Sequence, residues 1–131
     1  MKLLLVDDHA AVRRTLRLML ELNSSFEIVG DVANGREALE TMRREVPDVV
    51  IMDARMPVMD GAEATRAITQ RWPGVCVLAF TSTAEASRVA PMLAAGARGC
   101  ILKGQAPDQV IESIRRSVVR GKAGDICGDR G

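Results

Sequence analysis

Residues 49–64 read VVIMDARMPVMDGAEA. The stretch opens on four apolar residues, Val49 to Met52, a run too short for a helix and rich in the β-branched side chains that favour a strand. It turns acidic at Asp53, passes Pro57, and reaches Asp60 and Glu63 at the spacing of a helix capping box. Behind that cap, Ala64, Ala67, Ile68 and Trp72 recur at helical spacing. One strand, one loop and one helix follow in that order, with Asp53 left at the end of the strand.

The same alternation repeats outward in both directions. Short apolar runs stand at Leu3 to Val6, Phe26 to Val32, Val75 to Phe80 and Gly99 to Leu102, giving five expected strands. Helical stripes lie between them: Val12, Leu16, Met19 and Leu20, then Ala38, Leu39, Met42 and Val46. A last stripe of Val110, Ile111, Ile114 and Val118 follows Pro107, which suits a first helical turn. Asn34 with Glu37 repeats the capping spacing, Pro47 and Pro73 follow helices, and Gly96 fits a helix C-terminus. Five βα units call for a parallel sheet covered by helices on both faces, an α/β doubly wound architecture. In such sheets ligands sit beyond the carboxyl ends of the strands, where the strand order reverses.

Composition narrows the function. The chain has 131 residues, 47% hydrophobic and 27% charged, which fits one globular domain with a core that needs no disulfide or metal staples. We expect a domain over residues 1–120 and, from the glycine-rich sequence after Arg120, a flexible C-terminal tail or truncated linker over 121–131. Eighteen Lys and Arg against seventeen Asp and Glu leave a net charge of +1, which disfavours direct nucleic-acid binding. With two Phe, one Trp and no Tyr there is little to stack on bases or sugars. Three scattered cysteines and a single His supply too few ligands for a zinc site at any usual spacing. No run is long enough for a signal peptide or a membrane span, so a cytoplasmic protein with no membrane partner is expected.

The strand ends carry the chemistry. The first expected strand ends in Asp7 and Asp8, the third in Asp53, the fourth in Thr81 and Ser82, and the fifth in Lys103. Each alone has an ordinary structural reading as a cap, a turn residue or a solvated charge. Together at one edge they form a pocket of three acids that needs a cation. Hard oxygen ligands, few in number, suit Mg²⁺ completed by water and a phosphoryl oxygen. Lys103 offers that phosphoryl group a point charge and Thr81 a directional donor, so the chemistry expected is phosphoryl transfer to a carboxylate.

These residues resemble the receiver domain of two-component response regulators. The carriers are Asp7-Asp8-His9, the stretch from Asp53 through Met56-Pro57 to Asp60-Gly61, Thr81-Ser82, and Ala95-Gly96-Ala97-Arg98-Gly99-Cys100-Ile101-Leu102-Lys103. The Ala-Gly-Ala-Arg-Gly wording is similar to the subgroup that carries a C-terminal helix-turn-helix. The resemblance implies a flavodoxin-like (βα)5 fold with strand order 2-1-3-4-5. It implies that Asp53 is the phosphoacceptor and that Asp8, Asp53 and the backbone carbonyl of Arg55 ligate Mg²⁺, with Asp7 supporting the ion through water. Lys103 would contact the phosphoryl group and Thr81 would bond it after transfer. The donor would be a sensor histidine kinase or phosphotransfer protein, and a homodimer is a possible assembly. Such a chain catalyses its own phosphorylation and dephosphorylation but is not a turnover enzyme. It would control transcription if a DNA-binding domain follows.

His9, the one histidine, is read as the opening of a helix beside the acids rather than as an internal phosphohistidine. Two residues depart from the family pattern. Cys100 stands where an aromatic is usual, and Pro91 falls inside the expected fourth helix, where it deletes a backbone hydrogen bond. They motivate the competing reading, a receiver-like interaction module acting without phosphorylation. A flavodoxin-type carrier is disfavoured because the loop after the first strand begins Asp-Asp-His rather than with small phosphate-cradling residues.

Overall fold

The computed structural model describes residues 1–56 and 58–120, with the side chains of Val119 and Arg120 left aside. Pro57 and the expected tail at 121–131, with Cys127 in it, lie outside the described residues. The strands are β1 Lys2–Val6, β2 Glu27–Val32, β3 Val49–Asp53, β4 Cys76–Thr81 and β5 Gly99–Leu102. The helices are α1 Ala10–Glu21, α2 Gly35–Arg44, α3 Gly61–Arg71, α4 Val89–Ala94 and α5 Pro107–Arg120, with a 3₁₀ segment at Thr83–Arg88. All strands pair in parallel, in the order β2-β1-β3-β4-β5, as the flavodoxin-like reading implied.

Period-two alternation divides the core into two layers. Leu3, Leu5, Val49, Ile51, Leu78, Phe80 and Ile101 point to one side and pack with Leu16 and Leu20 of α1 and Val110 and Ile114 of α5. Leu4, Val6, Val50, Met52, Val77 and Ala79 point to the other and meet Ala38, Met42, Ala64, Ile68 and Met92. Because β1, β3 and β4 are apolar at consecutive positions, both faces demand cover, and helices on both sides supply it.

Helix ends follow local chemistry. Asp60 and Glu63 form a complete capping box. Asn34 accepts from the Glu37 N–H, but the Glu37 carboxylate reaches the Ala33 N–H instead, so that box is only half made. The expected second stripe ran to Val46; α2 stops at Arg44, because Pro47 forces the residue before it toward extended backbone. Trp72, expected on the stripe of α3, is its C-cap.

Pro91 shortens the fourth helix, as its missing donor requires. The α-helix begins only at Val89, so that the proline falls in the first turn, where an N–H has no helical partner in any case. The residues before it take the tighter 3₁₀ winding. Past the helix, Gly96 has φ +118, a conformation that suits glycine, and a Cβ there would meet Thr69 Cγ2 at 2.7 Å. No described helix is long and apolar enough to cross a membrane.

Candidate functional site at the carboxyl edge of the sheet

The chain leaves β1 for β2 on one side and returns to β3 on the other, so the strand order reverses between β1 and β3. Asp7 follows the first of these strands and Asp53 ends the second. Hydrogen bonds just past the strands fix this rim: Asp7 N–H donates to Val32 O at 3.0 Å, Ala54 N–H to Phe80 O at 3.2 Å, and Lys103 N–H to Thr81 O at 2.7 Å. The backbone of the site is therefore held by the same ladder that builds the sheet.

Asp7 and Asp53 are each only 1% exposed, an uncommon burial for carboxylates. Lys103 Nζ lies 3.2 Å from Asp53 Oδ1 and 3.3 Å from Asp7 Oδ2, bridging the two strands from β5. The Arg55 N–H approaches Asp53 Oδ1 at 3.4 Å, and the His9 N–H donates to Asp7 Oδ1 at 2.7 Å. Asp7 Oδ2 and Asp53 Oδ2 are buried yet accept no hydrogen bond among the described residues; Lys103 meets the former only as an ion pair. Asp8 completes the set, and one ligand atom from each of Asp7, Asp8, His9 and Asp53 lies within 4.8 Å of the others.

Carboxylates this close repel by on the order of 3 kcal/mol at an effective dielectric near 20. Burial, and then the charge of Asp7, push the Asp53 carboxyl up to about 7, against the opposing pull of Lys103. For Lys103 burial works against the charged form, but Asp53 and Asp7 outweigh it and the pKa is raised. A carboxyl whose folded pKa exceeds its unfolded one binds its proton more tightly when folded, so its stabilising contribution is lost as pH rises through the folded value. In chelator-treated buffer the wild type should therefore lose stability relative to Asp53→Asn between about pH 4 and pH 7. Paired melting curves across that range check this; a difference that does not grow with pH would contradict it.

Buried carboxylate oxygens without donors, beside a partly exposed third acid, are the donor set a hard divalent cation takes, and Mg²⁺ fits them. Thr81 ends β4 next to this rim, fully buried, with its hydroxyl donating to Ser82 O at 3.2 Å. It is near the acids in register but not bonded to them: Asp53 pairs with Phe80 and Thr81 with Leu102.

The structure adds residues that strand-end reading did not select. Arg13, one turn into α1, donates from Nη1 to the Asp7 carbonyl and from Nε to Asp31 Oδ1 at 3.2 Å, bracing the acidic loop against β2. Arg17 pairs with the same Asp31. The Arg55 guanidinium meets Glu85 at 3.4 Å, linking the loop after β3 to the 3₁₀ segment. Lys103 also lies over the Phe80 ring, 5.3 Å from its centroid. The spacing of Arg13 from His9 was visible in the sequence, but its partner on β2 was not.

Val58 has φ +72, which costs a β-branched residue about 1–2 kcal/mol. It sits in the loop between Asp53 and α3.

Comparison with known proteins bears on the family and the fold. The chain is 39% identical over 127 residues to the response regulator UvrY of Escherichia coli K12, covering 95% of this chain and 58% of that protein. The chain spans about half the length of the curated relatives it matches. Among solved structures, a LuxR-family two-component response regulator from Aurantimonas superposes with a TM-score of 0.84 at 31% identity, over 94% of this chain and 88% of that one. The receiver domain of the putative response regulator NarL from Mycobacterium tuberculosis gives 0.83 at 30% identity, over 90% and 95%. Residues 3–115 match the response regulator receiver domain family, and the chain belongs to it.

Proposed function

We propose that this receiver domain accepts a phosphoryl group on Asp53 from a phosphohistidine of a sensor kinase or phosphotransfer protein. The observation that carries the reading is the pair of buried carboxylates at the strand-order reversal, both held by Lys103 and each with one oxygen that accepts no hydrogen bond among the described residues. A carboxylate oxygen of Asp53 attacks phosphorus, the P–N bond breaks, and the departing imidazole keeps the electron pair and takes a proton from solvent. Lys103 moves from neutralising Asp53 to neutralising the phosphoryl oxygens, a contact that strengthens as charge develops there. Asp8, Asp53 and the Arg55 carbonyl would hold Mg²⁺, with Asp7 behind them. When bound, the ion neutralises the charge of the transferring group. The Thr81 hydroxyl, now given to Ser82 O, would turn to the new acceptor.

Because a ligand shifts a two-state equilibrium only through contacts that differ between the states, Thr81 is the residue through which phosphorylation would reach α4 and β5. Relatives named as transcriptional regulators support control of transcription as the output. DNA binding would then belong to a further domain, and a homodimer is one form the phosphorylated chain could take. A cytoplasmic setting follows from a kinase partner of this kind.

Incubation with acetyl phosphate, followed by intact-mass measurement, tests the chemistry without a kinase. One phosphoryl group should appear in millimolar Mg²⁺ and be absent in chelator. No phosphorylation under either condition would favour a module that binds its partner without it.

A further inference from the structure

His9 enters the acidic cluster from its exposed side. It is the N-cap residue of α1, yet its side chain makes no capping bond. The ring is 66% exposed and turned toward the acids, with Nδ1 3.2 Å from Asp8 Oδ1 and 3.4 Å from Asp7 Oδ1. Ligands on a divalent ion with bonds of about 2.1 Å stand about 3 Å apart when adjacent and about 4.2 Å apart when opposite. The spacings around His9, and the 4.8 Å limit that encloses all four donor residues, match that span to within a small adjustment. The cluster also holds two buried carboxylate oxygens that accept no hydrogen bond among the described residues, Asp7 Oδ2, which meets only the Lys103 charge, and Asp53 Oδ2.

We propose that His9 Nδ1, together with the Asp7, Asp8 and Asp53 carboxylates, forms a site for a borderline transition-metal ion such as Co²⁺ or Zn²⁺, and that His9 sets the preference of this pocket for such ions over Mg²⁺. The proposal rests on the carboxylates being a cation site, as argued above. Imidazole nitrogen adds much to the binding of Co²⁺ or Zn²⁺ and little to that of Mg²⁺, which prefers oxygen and keeps its water. An ion held by four side chains leaves fewer positions for a phosphoryl oxygen. Occupancy by Co²⁺ or Zn²⁺ would therefore compete with phosphoryl transfer, making the state of the switch sensitive to which metal is available.

Calorimetric titration of the full chain with CoCl₂ and with MgCl₂, for wild type and His9→Ala, tests this. The visible spectrum of the Co²⁺ complex is the second readout. His9→Ala keeps the backbone N–H that donates to Asp7 Oδ1 and removes a ring that caps nothing, so the fold should survive. His9→Gln, which preserves bulk but has no imidazole nitrogen, serves as a second variant. In both, the ratio of Co²⁺ to Mg²⁺ affinity should fall by about tenfold or more, and the Co²⁺ absorption should move to that of an all-oxygen set. An unchanged ratio and spectrum would overturn the role of His9 while leaving the carboxylate site standing. Failure of the wild type to bind either ion would overturn both.

Discussion

Asp53→Asn is expected to abolish phosphoryl labelling by acetyl phosphate while making the metal-free protein more stable. The two effects come from one cause. Asp53 is buried beside Asp7, and burial with that neighbouring charge holds its carboxyl near pH 7 when folded. The amide removes the repulsion and leaves Lys103 paired with Asp7. At pH 8 in chelator the gain should be a few kcal/mol, on the order of ten degrees in Tm, and it should vanish on acidification. Labelling that persists in the variant would move the acceptor elsewhere. A clear loss of stability would mean that the carboxylate is held by contacts stronger than those described.

A second large effect is expected one loop away. Gly61 opens α3 against the backbone at the end of β3: a Cβ there would stand 2.5 Å from Asp53 O, 3.0 Å from Ala54 Cα and 3.0 Å from Met92 Sδ. The thioether can move, but the strand backbone cannot without disturbing the ladder that places Asp53. Gly61→Ala should therefore cost about 3 kcal/mol, in the upper range for overpacking. That amounts to roughly 10 °C in Tm for a domain of this size. It should also slow labelling by tilting Asp53 out of line with Lys103. A variant that melts within a degree or two of wild type would show that α3 shifts freely and that the close approach is not structural.

The strands and most helices were legible because their apolar periods differ so sharply. Val49 to Met52 alternates between two core layers, a pattern that only a sheet covered on both faces satisfies. The shared rim of the candidate site was legible for a related reason: parallel βα units place every strand's carboxyl end on one edge, so Asp7, Asp53, Thr81 and Lys103 had to share it once the strands were assigned, while the strand order was implied by the family resemblance. What could not be read depended on distance in space rather than along the chain. Arg13 finds Asp31 only because α1 packs against β2, and Glu85 finds Arg55 only because the 3₁₀ segment folds over the loop after β3. The end of α2 before Val46, by contrast, was written in Pro47 and overruled a stripe that ran too far. The positive φ of Val58 had no local signal, since neither glycine nor asparagine marks it.

The most direct measurement is to locate the phosphoryl group on the wild-type chain. After incubation with acetyl phosphate and Mg²⁺, the acyl phosphate can be reduced with borohydride, which converts the modified aspartate to homoserine, and peptides can be sequenced by mass spectrometry. Conversion confined to Asp53 is the expected result. Conversion at Asp7 or Asp8 instead, or a phosphate that survives acid and borohydride and sits on a Ser or Thr hydroxyl, would contradict the assignment of the buried strand-end carboxylate as the acceptor.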